Sequence, residues 1–297
     1  MRKKIRVGSK LIGDGENCFI IAEIGINHNG CIEKAKRLID IAVSSGCDAV
    51  KFQKRTVDVV YTKEELEMPR PNPFGDTNGD LKRGLELTYS DYAEIDDYCN
   101  YKQIMWFASC WDEASVNFID QFNPPCYKIA SATLTDDNLL RHTKSKGKPI
   151  LISTGMSTQE EIDHAIEILG TDNIVLYHCT STYPTDSTEM NLQTIKTFRE
   201  KYNFPIGFSG HERGLTPTII AVALGAASVE RHITLDRTLW GSDHAASLEP
   251  EGLFRLVRDI HQVPNLMGDG VKVVYDSEKA IIKKLRRVKN SENVVKA

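Results

Sequence analysis

Phe19-Ile-Ile-Ala-Glu-Ile-Gly-Ile-Asn-His-Asn-Gly30 is the stretch on which the fold turns. A nearly unbroken apolar run, Phe19 to Ile26, ends in a polar turn. Ala35, Leu38, Ile39, Ala42 and Val43 then follow at the i, i+3, i+4, i+7 spacing of a helix with one buried face. A strand apolar on both faces, followed at once by a helix, is the unit of a parallel α/β architecture. In a doubly wound open sheet the first such turn normally carries G-x-G-x-x-G, and Gly25-Ile-Asn-His-Asn-Gly30 is not that pattern. The rival architecture, a closed barrel, is therefore favoured.

The same unit recurs along the chain. Further strand-like runs are Ala49 to Gln53, Ile104 to Ser109, Cys126 to Ser131, Ile150 to Thr154, Ile174 to Thr180, Ile206 to Ser209 and Ser228 to Thr234. Helical patterns lie between them. Ser157 and Glu160 read as a capping box, Thr216 and Pro217 as N-cap and first residue of a helix to Ala226, and Pro250 to Val263 as a last barrel helix. Eight strand-helix units predict a (β/α)8 TIM barrel, α/β in class. Residues 1–297 are read as one such domain, with 1–15 as an N-terminal hairpin capping the barrel bottom. Residues 54–89 form a long loop over the active site, and 264–297 a helical extension with a basic helix from Asp276 to Lys289. The long loop holds the turn-rich run Pro69 to Gly79 and shows no clear buried strand.

Composition bounds the function. With 41% hydrophobic and 26% charged residues the chain can bury a large core, and 297 residues do not exceed what a single α/β barrel with extensions can hold. Against 41 acidic residues stand 37 Lys and Arg, a net charge of −4, so no global basic field attracts nucleic acid. No segment reaches the roughly 20 apolar residues of a membrane span, and the residues after the basic Met1-Arg-Lys-Lys do not supply the roughly 7 to 15 apolar positions of a signal peptide. Seven scattered cysteines without a C-x-x-C pair read as reduced thiols of a cytoplasmic protein.

In a barrel the chemistry sits at the C-terminal ends of the strands. The polar residues there are Glu23, Lys51, Gln53, Ser109, Lys128, Ser131, Ser153, Thr154, His178, Ser209, His211 and His232. Lys51 and Lys128 lie inside otherwise apolar strands, where an unpaired ammonium costs several kcal/mol, so each requires an anion. Together with the hydroxyl donors they suggest a cup for a phosphate and a carboxylate. A Schiff-base lysine is the competing reading. His211 and His232, on consecutive strands, offer two imidazoles to one divalent metal, a set better suited to manganese or another first-row ion than to structural zinc.

Ile21-Ala-Glu-Ile-Gly-Ile-Asn-His-Asn-Gly30, Val50-Lys-Phe-Gln53, Tyr127-Lys-Ile-Ala-Ser131, Ser153-Thr-Gly-Met-Ser157, Gly207-Phe-Ser-Gly-His211, Glu230-Arg-His-Ile-Thr-Leu-Asp-Arg-Thr238 and Gly241-Ser-Asp-His-Ala-Ala-Ser-Leu-Glu-Pro250 together resemble the sialic acid synthase (N-acetylneuraminate synthase) family. The similarity runs from Phe19 to about Gly270. It implies a transferase that condenses phosphoenolpyruvate with an N-acylmannosamine or mannose, or its 6-phosphate, to give a sialic-type acid and phosphate. On the matching positions the resemblance makes His211 and His232 ligands of Mn2+, with Mg2+ or Co2+ as substitutes. It assigns Lys51, Gln53, Ser109, Lys128, Ser131, Ser153, Ser181 and Ser209 to phosphoenolpyruvate. Glu23 becomes the acid beside the reacting carbons, and Tyr183 and Asp243 contact the sugar. It also implies a homodimer.

Two departures qualify the match. After the fourth strand the family usually places an acid, whereas Ser131-Ala-Thr133 offers only a hydroxyl. Family members also continue into a small antifreeze-like C-terminal domain, for which the stretch before Ala297 has no room. Three readings compete: a separate antifreeze-like polypeptide supplies it, the acceptor does not need it, or the barrel is a silent binding subunit of a surface-sugar pathway. Lys82 and Arg83 in the long loop are candidates to hold a sugar 6-phosphate.

Overall fold

In the computed structural model, which describes residues 2–288, the apolar runs form eight parallel strands closed into one barrel. They are β1 (Phe19–Gly25), β2 (Ala49–Lys54), β3 (Met105–Cys110), β4 (Tyr127–Ile129), β5 (Ile150–Ser153), β6 (Ile174–Cys179), β7 (Ile206–Gly210) and β8 (Ser228–His232). Strands adjacent in sequence are adjacent in space. The ring closes where β8 pairs with β1, Ser228 beside Phe19 and His232 beside Glu23.

Barrel helices follow each strand: α1 (Ile32–Ser45), α2 (Tyr89–Lys102), α3 (Glu113–Asp120), α4 (Asp137–Ser145), α5 (Gln159–Leu169), α6 (Thr194–Lys201), α7 (Thr216–Ala223) and α8 (Pro250–Met267). The predicted (β/α)8 barrel is the observed fold.

Alternation along each strand divides the core in two. Ile20, Ala22, Ile24, Val50, Phe52 and Ala108 point outward and pack with Leu38, Ile39 and the other apolar helix faces. Phe19, Ile21, Ala49, Phe107, Leu151, Val175 and Tyr177 fill the lower interior. The N-terminal hairpin, Ile5–Val7 against Lys10–Ile12, adds Ile5, Val7 and Ile12 to that inner cluster and stops the barrel bottom. The upper interior is thus left to polar residues.

Several local readings shift. The capping box of α5 is Thr158 with Glu161, one residue beyond Ser157 and Glu160. Both registers satisfy the pattern, and the backbone turn after Gly155 selects the second. Thr216 is already helical, with Leu215 as N-cap and Pro217 in the second position; α7 ends at Ala223, short of Ala226. Helix α8 continues past Val263 to Met267.

The excursion between β2 and α2 is more ordered than its turn-rich sequence suggests. It contains helices Val57–Val60, Lys63–Glu67 and Asn78–Leu85, and a hairpin pairing Pro69–Asn72 with Gly75–Thr77. Thr62 with Glu65, and Thr77 with Asp80, cap two of these helices reciprocally. The excursion lies close over the β1–α1 turn. Gly30 holds a positive φ of 69°, and a Cβ there would stand 2.2 Å from the Gly84 carbonyl oxygen.

By compactness the chain groups as Met1–Val263, the barrel, and Pro264–Ala297. In the second group α9 (Asp276–Leu285) is the described helix, and no described residue is buried. The predicted run of that helix to Lys289 ends outside the described residues. Among the described residues no helix is long and apolar enough to cross a membrane. All seven cysteines are free.

Candidate active site

Above the lower core the inward-facing positions are mostly polar. Glu23 on β1, Lys51 and Gln53 on β2, Ser109 on β3, Lys128 on β4, Ser153 on β5, Ser209 on β7, and Glu230 and His232 on β8 converge on one cavity of about 190 Å3. Ser131, Ser181, Tyr183 and His211 complete its wall from the loops above β4, β6 and β7. Of the residues singled out by the resemblance, only Asp243 stands outside this lining. Its carboxylate approaches to 3.7 Å from His232 Nδ1.

The two lysines are not bare. Glu230 lies between them, 3.1 Å from Lys51 Nζ and 3.2 Å from Lys128 Nζ, and Glu23 is 3.3 Å from Lys51. Lys51 donates to Ser109 Oγ at 2.8 Å and Lys128 to Ser153 Oγ at 2.6 Å. The anion that the sequence reading demanded is therefore supplied in part by the chain. Strand periodicity contained the signal: Glu230 is two residues before His232 and so shares its inward face.

Electrostatics separate the two carboxylates. Burial and the neighbouring Glu230 raise the Glu23 carboxyl to about 7, against the pull of Lys51. Burial also opposes the charge of Glu230, but Lys128 and Lys51 overcome it and hold that carboxyl at about 2. Burial would lower Lys51, yet Glu23 and Glu230 raise it; Lys128 is lowered, by burial first and Lys51 second. One ionised carboxylate, Glu230, thus stands between two lysines while burial raises the Glu23 carboxyl towards neutrality, so carboxylate charge does not outweigh the lysines. The cup is built for an anion.

The histidine pair forms the opposite wall, ring centres 5.4 Å apart. His211 Nδ1 donates to the Thr180 carbonyl at 2.7 Å, which leaves the lone pair on Nε2. His232 Nδ1 is buried without a hydrogen-bond partner, and burial first of all lowers this ring to about 3, keeping it neutral. An orphaned nitrogen on a neutral imidazole beside a second available imidazole fits a divalent metal. Among the described residues no group of three or more His, Cys, Asp or Glu is arranged to hold one. An ion here would take its remaining ligands from water or substrate. Tyr183, half-exposed, lies 4.0 Å from the His211 ring, centre to centre, and covers the pair.

Other strand-end residues belong to the scaffold. Thr154 Oγ1 donates to the Tyr177 carbonyl, and His178 bonds the Met190 carbonyl while packing on Phe198 and Phe208. Arg83 is paired with Asp58, whereas Lys82 has, among the described residues, only the Tyr61 ring, 4.8 Å away. Sequence reasoning also missed Cys179 and Trp111, which line the cup.

A closed parallel barrel with its polar cavity at the C-terminal mouth defines the class: a (β/α)8 barrel with its site where barrel enzymes carry theirs. The chain belongs to the NeuB family, which it matches over residues 38–272. It is 39% identical over 279 residues to the human N-acetylneuraminate-9-phosphate synthase, covering 92% of this chain and 78% of that protein. It is 36% identical over 290 residues to the N,N'-diacetyllegionaminic acid synthase of Legionella pneumophila, covering 94% and 82%. The crystal structure of N-acetylneuraminic acid (sialic acid) synthetase from Leptospira borgpetersenii, in complex with citrate, superposes with a TM-score of 0.84 at 30% identity, covering 97% of this chain and 99% of that one. This chain is thus a homologue of synthases that make sialic and related nonulosonic acids.

Proposed function

We propose that this protein condenses phosphoenolpyruvate with the open-chain carbonyl of a mannose-type or N-acylmannosamine sugar, giving a sialic-type nonulosonic acid and free phosphate. The observation that carries the reading is the cationic cup of Lys51 and Lys128, rimmed by serine hydroxyls and faced across one small cavity by two imidazoles. Family membership supports it.

Lys51 and Lys128 neutralise the phosphate and carboxylate of phosphoenolpyruvate, and Ser109, Ser131, Ser153, Ser181 and Ser209 orient its oxygens. Gln53, whose Nε2 donates to Glu23 Oε1 at 2.9 Å, fixes that carboxyl. His211 and His232 would hold a divalent ion, manganese first, with magnesium or cobalt as substitutes, and when bound it supplies Lewis-acid polarisation of the sugar carbonyl. Carbon 3 of the enol attacks that carbonyl carbon and leaves a cationic carbon 2. Water adds at carbon 2, its proton passing to Glu23, whose pKa near neutrality suits both taking and returning it. The tetrahedral centre then collapses to the ketone with cleavage of the carbon–oxygen bond, its hydroxyl proton leaving with the phosphate, while the proton taken up by Glu23 passes to the alkoxide formed from the sugar carbonyl. Tyr183 and Asp243 contact the sugar.

The test is phosphate release from phosphoenolpyruvate by the purified chain with manganese and, in turn, N-acetylmannosamine, mannose and their 6-phosphates. Release is expected only when metal, phosphoenolpyruvate and an acceptor are all present, and His232→Ala abolishes it. Absence of release with the whole panel would overturn the reading.

A further inference from the structure

Beside the cup stands a buried arginine that the mechanism does not use. Arg55, one residue past the end of β2, is 7% exposed and is not among the residues that line the cavity. A buried guanidinium requires partners that repay its desolvation. Among the described residues one carboxylate pairs with it, Glu86, 3.9 Å from Nη1. That carboxylate is shared, since Lys54 Nζ donates to it at 2.7 Å and the Arg55 backbone N–H at 3.3 Å. Arg55 Nε has no partner at all. Ion pairing therefore does not account for the place of this residue. Its remaining bond does: Arg55 Nη2 donates to Gln53 Oε1. A cation–π contact, 4.4 Å from the centre of the Trp111 ring in the cavity wall, fixes the guanidinium from a second side.

Gln53 is the side chain that meets the reacting acid. Its Nε2 donates to Glu23 Oε1 at 2.9 Å, and its backbone carbonyl accepts from the Tyr92 hydroxyl at 3.1 Å. Gly25 packs on the bond to Glu23: a Cβ there would stand 3.0 Å from Glu23 Oε1 and 3.1 Å from Gln53 Nε2. The two ends of an amide are alike in shape and opposite in role, the oxygen accepting and the nitrogen donating. A carboxylate ready to take a proton only accepts, so the Nε2 end bonds it and the Oε1 end repels it. Half a turn of the amide would set that repulsion against Glu23. A guanidinium only donates, so Arg55 holds the oxygen and cannot hold the nitrogen.

We propose that Arg55 is a positioning residue that fixes which end of the Gln53 amide faces Glu23, and so keeps that carboxylate ready to accept the proton of the attacking water. Its consequence for turnover rests on the condensing function proposed above; the amide orientation does not. Arg55 acts through Gln53, from outside the cavity. Glu86 belongs to the β2–α2 excursion, so the relay Glu86, Arg55, Gln53, Glu23 ties the acid to that excursion.

The full chain is to be assayed with phosphoenolpyruvate, manganese and the sugar of the panel that it turns over. Arg55→Met is expected to lower kcat about ten-fold or more while KM for phosphoenolpyruvate stays within about two-fold, because Lys51 and Lys128 are untouched. Arg55→Gln, which can present either a donor or an acceptor, behaves as Arg55→Met does. Arg55→Lys, which only donates, recovers most of the loss. In a Gln53→Met background, where no amide is left to turn, Arg55→Met changes kcat by less than about two-fold. Wild-type kcat in Arg55→Met, a loss that lysine does not recover, or an equal loss in the Gln53→Met background overturns the proposal. Neutron diffraction from deuterated crystals of wild type and Arg55→Gln reads the amide directly. The Nε2 deuterons are expected to face Glu23 in wild type and to be turned away, or split between two orientations, in the variant. An unchanged orientation overturns the proposal. This measurement needs no turnover, so it decides the role of Arg55 even where no sugar reacts and the condensing function fails.

Discussion

Lys51, Lys128, Glu23 and Glu230 show how four buried charges can be kept in one barrel. Each lysine has a carboxylate and a hydroxyl within reach, so no ammonium is stranded. The cost falls on Glu23, whose carboxyl is raised from the ordinary 4.5 to about 7 by burial and then by Glu230. Below pH 4.5 this residue is neutral in both folded and unfolded chains and imposes no penalty. Between 4.5 and 7 the unfolded chain ionises it first, so its contribution turns against the fold; above 7 the penalty is constant. Glu23→Gln removes that effect. The stability of the variant relative to wild type, from urea unfolding at a series of pH values, should rise from pH 4.5 to 7 and then level. A difference independent of pH would contradict the raised pKa. The identity of these residues was legible because each stands near the end of an apolar strand, where a polar side chain is conspicuous. Glu230 escaped because its role depends on charges from two other strands.

At the scale of elements, the β7–α7 turn that carries His211 is clamped from the neighbouring strand. Arg231, 1% exposed on the outer face of β8, donates to Glu212 Oε1 and to the Glu212 carbonyl at 2.7 Å each, and to the Gly214 carbonyl at 3.0 Å. Thr218 Oγ1 on α7 donates to the same Glu212 carboxylate. Adjacent strands thus present a histidine inward and use a buried ion pair outward to fix the turn between them. Arg231→Met leaves Glu212 buried without its cation and is expected to cost about 3–5 kcal/mol of stability. It should also weaken manganese binding, because His211 loses its fixed orientation. Unfolding and metal titration of the variant check both; a loss below 1 kcal/mol would show the clamp to be dispensable. None of this could be read from periodicity, since the partners are far apart in sequence and meet only across the sheet. The caps illustrate a milder limit. Ser157–Glu160 and Thr158–Glu161 obey one rule, and only backbone geometry distinguishes them.

Across the whole molecule the barrel is layered along its axis. The hairpin and the lower inward residues make a dry floor, the charged cup stands on it, and the excursion and the loop after β8 enclose a second cavity above. The floor and the strands were legible because apolar alternation and helix spacing are local signals. The form of the excursion was not, because it packs on the β1–α1 turn through residues far apart in sequence, where Gly30 meets Gly84 and Phe74. On the proposed function, cup and histidines together join an enol phosphate to a sugar carbonyl with cleavage of the carbon–oxygen bond. The direct measurement is mass analysis of phosphate released from phosphoenolpyruvate labelled with heavy oxygen in the carbon–oxygen–phosphorus bridge, with manganese and acceptor present. The label is expected to leave with the phosphate, and only when acceptor is supplied. Unlabelled phosphate, or release that ignores the acceptor, would contradict the claim.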